Sequence, residues 1–310
     1  MQIIENTNDF YLEKETAVAI GKFDGVHKGH RRLLEEITAR KKEGLLACVF
    51  TFHPAPAAFL GYSDGKELTT REEKRLLFER LGIDILVEFP LTSTTIAMEP
   101  EVFARQVLNK QLNARFIAAG DDLSFGAGGR GNAELLRSLS GELNFELKTI
   151  GKVCVEDTVV SSTFARQLLE QGDMKRLECF LDMPYMIAGE VVHGNRLGRT
   201  IGFPTVNLLP GEKKLLPPFG VYYSEVKYKG RMYSAISNVG YKPTVTEERI
   251  CGVETYLYDF NEQIYGESIE VYLLEFKRGE QRFAGVDALK KQLQEDIAEG
   301  KLYNGTRDAR

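Results

Sequence analysis

Tryptophan is absent from this 310-residue chain, and cysteine and histidine occur only four times each. The cysteines, at positions 48, 154, 179 and 251, show no paired spacing, which argues against both a disulfide framework and a zinc site. Three of them stand beside apolar residues, so we expect small core residues in a reducing compartment. Because histidine is scarce, any clustering of that residue is informative.

An excess of positive charge and long apolar runs are also missing. The formal net charge is −5, so a general nucleic-acid partner is not expected. No apolar run is long enough to span a membrane, and acidic residues among the first twenty argue against a signal peptide. We therefore expect a cytoplasmic protein without a membrane partner, present as a monomer or a weak homo-oligomer.

The composition that remains is that of an ordinary globular protein, and 310 residues suit two domains. Up to about residue 182, helical stretches alternate with apolar, β-branched runs. Those runs are residues 45–52, 83–89, 116–119 and 145–150. Strands separated by helices predict a parallel sheet that binds ligands beyond the carboxyl ends of its strands. Thr70 and Glu73 form a capping box, and Pro100 suits a first helical turn.

After Pro184 the pattern changes to short runs rich in Val, Ile, Tyr and Phe. These runs are residues 186–192, 221–227, 232–239, 253–260 and 269–276. Tight turns such as Lys229-Gly230 join them, which predicts an antiparallel barrel or sandwich, followed by a helix at about 286–299. The sequence therefore predicts two domains: a Rossmann-like α/β unit in residues 1–182 and a mainly β unit in residues 183–310.

Two of the four histidines lie together where an early apolar run, residues 17–20, gives way to a helical pattern. The turn contains, in order, Gly21, Phe23, Asp24, Gly25, His27, Gly29 and His30. Unpaired N–H groups and the dipole at a helix start favour an anion, and glycines let a phosphate approach the main chain. Because residues i and i+3 share a helix face, we expect His27 and His30 to bind the same phosphate group. The alternative is that both are ordinary surface or core histidines.

Two further segments of the first half are candidate ligand sites. In the glycine-rich loop 120–131, Phe125 is suited to stacking on a planar ligand and Arg130 to neutralising charge. The alternative is a flexible connector. In residues 160–166, hydroxyl groups are suited to capping a helix that carries Arg166 one turn later. An ordinary capped helix is the alternative here.

In the second half, Thr205 and Asn207 alternate, so on a strand both side chains point the same way. A hydroxyl and an amide oxygen are hard ligands, which suit Mg²⁺ that carries nucleotide phosphates. Glu254 lies in a strand-like run, where its carboxylate is a candidate base for an attacking hydroxyl. The alternative for Glu254 is a solvated residue on an outward face.

Taken in order, these motifs resemble the bacterial bifunctional riboflavin kinase/FMN adenylyltransferase family, also called prokaryotic FAD synthetase. The resemblance covers nearly the whole chain, through residues 21–30, 120–131, 161–166, 172–173, 189–208, 220–222, 238–240 with 243–244, 254–260 and 278–283. The Gly-Phe-Pro-Thr-x-Asn run is specific for the kinase module. The His-x-Gly-His turn marks a broad nucleotidyltransferase superfamily, which the Ser-Ser-Thr-x-x-Arg run narrows to this family.

For residues 1–182, the resemblance implies a nucleotidyltransferase domain in which FMN and ATP give FAD and pyrophosphate. His27, His30 and Arg166 would be catalytic. The residues that would bind ATP are Gly21, Phe23, Asp24, Gly25, His27, Gly29, His30, Ser162, Thr163 and Arg166. Those that would bind flavin are Asp122, Phe125 and Arg130.

For residues 183–310, the resemblance implies a riboflavin-kinase-like barrel that uses ATP and Mg²⁺ to phosphorylate riboflavin to FMN. Glu254 would be the catalytic base, and Thr205 and Asn207 would bind the metal. The residues that would bind ATP are Gly189, Gly194, Gly202, Thr205 and Asn207. Those that would bind flavin are Arg278, Glu280 and Phe283.

The chain departs from the family pattern at several positions, mostly in the first half. Ala55 stands where the family has a histidine, and the role of that histidine is not transferred to His53. The other departures are Lys22, Leu123, Val206 and Arg282. Two alternatives therefore remain open: a riboflavin kinase with an impaired adenylyltransferase domain, and a non-catalytic flavin-binding or sensor protein. A transferase for another small substrate is a third, which the barrel motifs do not favour.

Overall fold

The computed structural model describes residues 1–194, 197–242 and 250–308. The chain divides into two compact units, Met1–Ser162 and Thr163–Arg310. The motif positions 195–196 and 243–244 lie outside the described residues. No helix in the described part of the chain is long and apolar enough to cross a membrane.

The first unit is built on a six-stranded sheet in the order β1-β4-β3-β2-β5-β6, in which every neighbouring pair is parallel. Its strands are β1 (Gln2–Glu5), β2 (Thr16–Ile20), β3 (Leu46–His53), β4 (Ile85–Pro90), β5 (Ala114–Gly120) and β6 (Glu146–Ile150). A short hairpin, β7 (Cys154–Val155) and β8 (Thr158–Val159), follows. Every residue of β2 is buried, as expected of a central strand that is covered on both faces. The predicted parallel sheet is confirmed, and β1 is an addition to it.

Helices connect these strands. They are α1 (Lys28–Ala39), α2 (Pro56–Phe59), α3 (Arg71–Arg80), α4 (Ser93–Ile96), α5 (Pro100–Val102), which continues as a π-helical segment (Phe103–Gln111), and α6 (Ala133–Leu143). The predicted capping box is confirmed, because the Thr70 hydroxyl accepts the N–H of Glu73 at 3.2 Å while the Glu73 carboxylate accepts the N–H of Thr70 at 2.9 Å. Pro100 lies in a first helical turn, as predicted.

The core of the first unit lies between these helices and the sheet. Phe50, Phe89 and Phe103 pack together with ring centroids 5.3 and 5.4 Å from Phe50. Cys48 is buried in the same core. The expectation of three core cysteines is wrong, because Cys154 and Cys179 are exposed. An apolar neighbour in sequence does not by itself indicate burial, because adjacent residues face opposite sides of a strand, as at Cys154, and different sides of a helix, as at Cys179.

The second unit contains an antiparallel sheet in the order β10-β13-β12-β11-β14-β9. Its elements are α7 (Ser162–Gln171, whose first residue belongs to the first unit), α8 (Met174–Leu181), β9 (Tyr185–Glu190), α9 (Leu197–Thr200), β10 (Val206–Leu208), β11 (Gly220–Tyr228), β12 (Arg231–Lys242), β13 (Ile250–Leu257), β14 (Ser268–Gly279) and α10 (Val286–Asp308). An antiparallel bridge between Val192 and Asn207 brings the two edges of the sheet together, so the strands form a barrel. The predicted antiparallel unit with a terminal helix is confirmed.

The C-terminal helix α10 covers part of the outer face of this barrel. It packs against β11 and β12, and Ile297 contacts a small apolar cluster of Val221, Ile236 and Tyr258. The helix extends to Asp308, nine residues beyond the predicted end. One reason is that Asn304 in its last turns is buried and donates to the carbonyl oxygen of Ser224 at 3.2 Å.

Candidate active sites

The turn between β2 and α1 has an unusual backbone. Phe23, Gly25 and Val26 have positive φ angles of 51°, 83° and 43°. Phe23 and Val26 are fully buried, although a left-handed conformation is rare for a β-branched residue. A side chain on Gly21 would lie 3.1 Å from the Phe23 ring, so this glycine leaves room for the ring. The turn is therefore a packed structure rather than an open loop.

The two histidines of this turn are stacked on one another. Their ring centroids are 3.7 Å apart and their planes differ by 11°. His27 is the N-cap of α1, and its Nδ1 accepts the backbone N–H of His30 at 3.3 Å. The Phe23 ring packs against His30 with a centroid distance of 5.1 Å. Both rings therefore lie together at the start of α1, and their binding of one phosphate stays a prediction.

Both imidazole rings are neutral at neutral pH. Burial lowers the pKa of His27 to about 4, against the weaker opposing effects of a hydrogen bond with the backbone of His27 itself and of the Asp24 and Asp122 carboxylates. Burial also lowers the pKa of His30 well below its ordinary value, with smaller contributions from electrostatic repulsion by a protonated His27 and by Lys74. Because Nδ1 of His27 accepts a hydrogen bond, its proton is on Nε2, which is the nitrogen that can donate to a ligand.

The start of α1 favours an anion. The first turn of α1, residues 28–31, contains no acidic side chain. The unpaired N–H groups and the dipole at this helix start therefore attract negative charge. The buried Nδ1 of His30 has no hydrogen-bond partner among the described residues. A phosphate group is the kind of ligand that this arrangement can bind.

Ser162, another predicted ATP-binding residue, contacts this turn at Asp24. The Asp24 carboxylate accepts the N–H of Leu68 at 2.8 Å. The Ser162 hydroxyl donates to the carbonyl oxygen of Asp24 at 2.9 Å. Helix α7 begins at Ser162, and Thr163 and Arg166 lie in its first turns, within the second unit.

The glycine-rich loop that follows β5 is closed at its base. Phe125 and Gly131 exchange two backbone hydrogen bonds, of 3.0 and 2.9 Å. The Phe125 ring is 3% exposed, packs 5.4 Å from Phe103, and fills the space that a side chain on Gly131 would need. The low exposure of this ring does not support a stacking contact with flavin, and that contact stays a prediction. Arg130 is exposed and pairs with the exposed Glu99 at 2.6 Å.

The candidate kinase residues of the second unit lie in one row across five strands. Asn207 of β10 is opposite Glu254 of β13, and Glu254 is opposite Asn238 of β12. The row continues through Val221 of β11 to Arg278 of β14. Because directly opposite residues of antiparallel strands share a face, a predicted metal ligand, the predicted base and a predicted flavin residue lie on one face of the sheet.

Asn238, between them, was not among the predicted site residues. Residues 238–240 belong to the family resemblance, but it gave Asn238 no role, and the pairing of Asn238 with Glu254 is known only from the strand register. The space over Gly240, two residues further along β12, is filled by the Glu280 carboxylate. The Asn238 side-chain nitrogen is 3.4 Å from the same point. Asn238 thus lies between the predicted base and a predicted flavin residue.

The metal end of the row is tightly packed. Asn207 is 4% exposed, and its amide group lies within 2.8 Å of the point that a side chain on Gly194 would occupy. Thr205 immediately precedes β10, and its hydroxyl is 3.5 Å from the corresponding point at Gly198. Two more predicted ATP residues are Gly202, which has a φ of 91°, and Gly189, which pairs with Ile269 in the barrel. Glycine is needed at position 194 because any larger side chain would occupy the space of the Asn207 amide group.

At the other end of the row, the flavin segment is attached to α10. Nη2 and Nε of Arg278 donate to one carboxylate oxygen of Asp296 at 2.6 and 3.1 Å. Asp296 is 1% exposed and also accepts from Gln292 at 3.1 Å. The Arg278 guanidinium lies 6.0 Å from the Phe283 ring centroid, so two of the three predicted flavin residues are neighbours. Asp296 was also missed, because a charged residue in an amphipathic helix is usually solvated.

Comparisons with known proteins identify the family. The family model for FAD synthetase matches residues 10–164, and the one for riboflavin kinase matches residues 181–303. A bifunctional riboflavin kinase/FMN adenylyltransferase of Bacillus subtilis is 34% identical to this chain over 98% of each protein. The enzyme of the same name from Escherichia coli is 36% identical, over 93% of this chain and 92% of that enzyme. The chain belongs to this family.

A solved structure resembles the riboflavin kinase/FMN adenylyltransferase chain over most of its length. It is a crystal structure from Streptococcus pneumoniae that is described as a macrolide-efflux protein. It is 31% identical, has a TM-score of 0.84, and covers 96% of this chain and 98% of that one. Because both family models match in one chain, the non-catalytic sensor is not favoured.

Proposed function

We propose that this chain makes FAD from riboflavin in two ATP-dependent steps, with a separate site for each step. The adenylyltransferase site would belong to residues 1–182 and the kinase site to residues 183–310. The observation that carries this function is that each unit contains a group of residues suited to binding phosphate. One is the stacked His27–His30 pair at a helix start, and the other is the row that joins Asn207 to Glu254.

In the kinase step, Glu254 accepts the proton of the ribityl 5′-hydroxyl of riboflavin as its oxygen attacks the γ-phosphorus of ATP. The bond from that phosphorus to the ADP oxygen breaks, and FMN and ADP are released. Asn207 is the direct cross-strand neighbour of Glu254, which supports a short distance between the base and the nucleotide phosphates. Little more than positioning and charge neutralisation is needed for phosphoryl transfer.

Mg²⁺ fits the residues at the metal end of this row. Thr205 supplies a hydroxyl oxygen and Asn207 a buried amide oxygen, while the nearest carboxylate in the register is that of Glu254. A mostly neutral set of oxygen ligands suits a Mg²⁺ ion that arrives with ATP and keeps phosphates and water as its other ligands. The metal would neutralise charge on the β- and γ-phosphates.

In the adenylyltransferase step, a phosphate oxygen of FMN attacks the α-phosphorus of ATP, and pyrophosphate leaves. Nε2–H of His27 and the His30 ring would stabilise the charge that develops on the α-phosphate, together with the helix start and Arg166. Neutral rings are suited to this role, because they donate hydrogen bonds without requiring protonation. A phosphate nucleophile requires no strong base.

The remaining predicted contacts complete the two sites. In the adenylyltransferase, ATP would also meet Gly21, Phe23, Asp24, Gly25, Gly29, Ser162 and Thr163, and flavin would meet Asp122, Phe125 and Arg130. In the kinase, ATP would also meet Gly189, Gly194 and Gly202, and flavin would meet Arg278, Glu280 and Phe283. The proximity of Asp122 to His27 that is reflected in the His27 pKa supports one common site.

We further propose that the enzyme acts in the cytoplasm, where ATP is available, as a monomer or a weak homo-oligomer without a nucleic-acid partner. Its four cysteines are free thiols, which suits a reducing compartment. The net charge of −5 does not favour nucleic-acid binding.

The test is chromatographic product analysis with riboflavin, ATP and Mg²⁺. The wild-type protein should yield FMN and then FAD. Glu254→Gln should lower FMN formation by about 10²–10⁴-fold, the usual contribution of a general base, while FMN added directly is still converted to FAD. Glu270→Gln, in β14 of the same sheet, is the control and should retain FMN formation. Wild-type protein that yields neither product, or Glu254→Gln at full FMN rate, would contradict the proposal.

A further inference from the structure

The turn that carries His27 adopts a backbone that its own residues do not favour. Two of its buried side chains, Phe23 and Val26, belong to residues in the left-handed region. Such a conformation persists only where the surrounding structure holds it, and it occurs mostly at functional sites. The groups that hold this turn are therefore part of what keeps the two imidazoles in place.

Three hydrogen bonds from distant parts of the first unit hold the turn. The N–H of Gly25 donates to the Thr69 hydroxyl at 3.0 Å. The N–H of Leu68 donates to the Asp24 carboxylate at 2.8 Å, and the Ser162 hydroxyl donates to the Asp24 carbonyl oxygen at 2.9 Å. The segment 68–69 thus bonds to both Asp24 and Gly25, once as a donor, through Leu68, and once as an acceptor, through Thr69.

This segment is itself rigidly mounted. Thr69 is 6% exposed, and the next residue, Thr70, starts α3 with its capping box. Arg71, in the first turn of α3, donates to the buried Glu88 of β4 at 2.8 Å. The Thr69 hydroxyl is therefore a fixed acceptor, anchored through α3 to the central sheet.

We propose that Thr69 is a positioning residue for adenylyl transfer, an inference that rests on the proposed function of the histidine site. Its hydroxyl engages the N–H of Gly25, two residues before His27, and so fixes where the imidazole pair stands relative to the start of α1. Asp24 acts in the same way, through its carboxylate on Leu68. Thr69 does not touch the reacting atoms; it acts through the main chain.

The chain offers a matched pair of variants to test this role. Thr69→Val removes the hydroxyl and keeps the shape, whereas Thr69→Ser keeps the oxygen. Thr16→Val is the control, because the buried Thr16 hydroxyl bonds to the Leu112 carbonyl at 2.6 Å, at the opposite end of β2. In each full-length variant, kcat and KM are measured for FAD formation from FMN and ATP. FMN formation from riboflavin, in the other unit, reports on the integrity of the chain.

Thr69→Val should lower kcat for FAD formation at least about tenfold, because small displacements of catalytic groups are costly, and should change the KM for ATP less than about threefold. Thr69→Ser and Thr16→Val should stay within about threefold of wild type, and FMN formation should be unchanged in all three. Unchanged kcat in Thr69→Val would overturn the proposal. Equal losses in Thr69→Val and Thr16→Val, or a parallel loss of FMN formation, would also overturn it, since each indicates a general structural role.

A second readout is independent of turnover. Titration of the histidine ring signals by NMR should place His27 and His30 nearer to their ordinary pKa in Thr69→Val than in wild type or Thr16→Val, because a loosened turn admits water. If wild-type protein forms no FAD, the proposed function fails, and this titration still decides the role of Thr69. Identical titrations in all three proteins would overturn the positioning role.

Discussion

At the scale of single residues, the histidine pair shows what spacing can and cannot predict. The i, i+3 spacing predicted that His27 and His30 share one face, and their stacked rings agree with that. The spacing did not reveal that His27 itself caps α1, or that Phe23 and Val26 adopt left-handed conformations. The strained backbone is held by residues 44 positions away, which one short motif does not contain.

The buried state of His27 predicts a pH effect on stability. The unfolded ring binds a proton below about pH 6.5, whereas the folded ring binds one only near its pKa of about 4. The neutral His27 ring therefore contributes fully to the free energy of unfolding above pH 6.5, and this contribution is lost as the pH falls toward 4. At pH 5 the loss is about 2 kcal/mol by linkage. In His27→Asn, which retains an N-cap acceptor, the fall in unfolding free energy between pH 7 and pH 5 should be smaller by about that amount.

Urea unfolding of both proteins at the two pH values measures this difference. Titrating groups distant from His27 contribute equally to the two proteins, so they cancel in the comparison. The exception is His30, whose ring stacks on His27. Equal pH dependence of the unfolding free energy in wild type and His27→Asn would show that the ring is not buried in its neutral form.

At the scale of elements, local sequence signals predicted the strands and helix ends well. Apolar runs became β3, β4 and β5, and the Thr70 capping box marked the start of α3. The cross-strand row of the barrel was not predictable, because register depends on pairing between strands 16 to 57 residues apart, as for Glu254 with Asn238 and Val221 with Arg278. The burial of the Asp296 carboxylate in α10 was not predictable for the same reason, because its partner Arg278 lies on β14.

The Arg278–Asp296 pair should link the terminal helix to riboflavin binding. Asp296→Asn leaves the largely buried Arg278 without its charged partner, so the protein should lose about 3 kcal/mol of stability, the usual cost of breaking a buried ion pair. If Arg278 and Phe283 contact flavin, the KM for riboflavin should also rise severalfold while FAD formation from FMN is unaffected. Thermal unfolding and steady-state kinetics check the two effects.

Glu295→Gln is the matched control, since Glu295 is the exposed neighbour of Asp296 on the same helix. It should change stability by no more than about 0.5 kcal/mol. An Asp296→Asn protein with wild-type stability and an unchanged KM for riboflavin would exclude this role for the terminal helix.

At the scale of the whole molecule, two chemistries are housed in two folds with different sequence rhythms. The predicted domain division at 182/183 follows the change of rhythm, whereas the compact units divide at Ser162 and Thr163. The intervening helices α7 and α8 follow the alternating pattern of the first half. However, α8 packs against β9 and β14 of the barrel. A helix belongs to the sheet that its apolar face covers, and periodicity alone does not say which sheet that is.

The central claim is that paired neutral imidazoles at the start of α1 carry adenylyl transfer, separately from the kinase site. The most direct measurement is the rate of FAD formation from FMN and ATP in the double variant His27→Asn/His30→Gln. Loss of this charge stabilisation should lower that rate by at least about 10²-fold, while the same protein forms FMN from riboflavin at the wild-type rate. A double variant that makes FAD at the wild-type rate would contradict the claim.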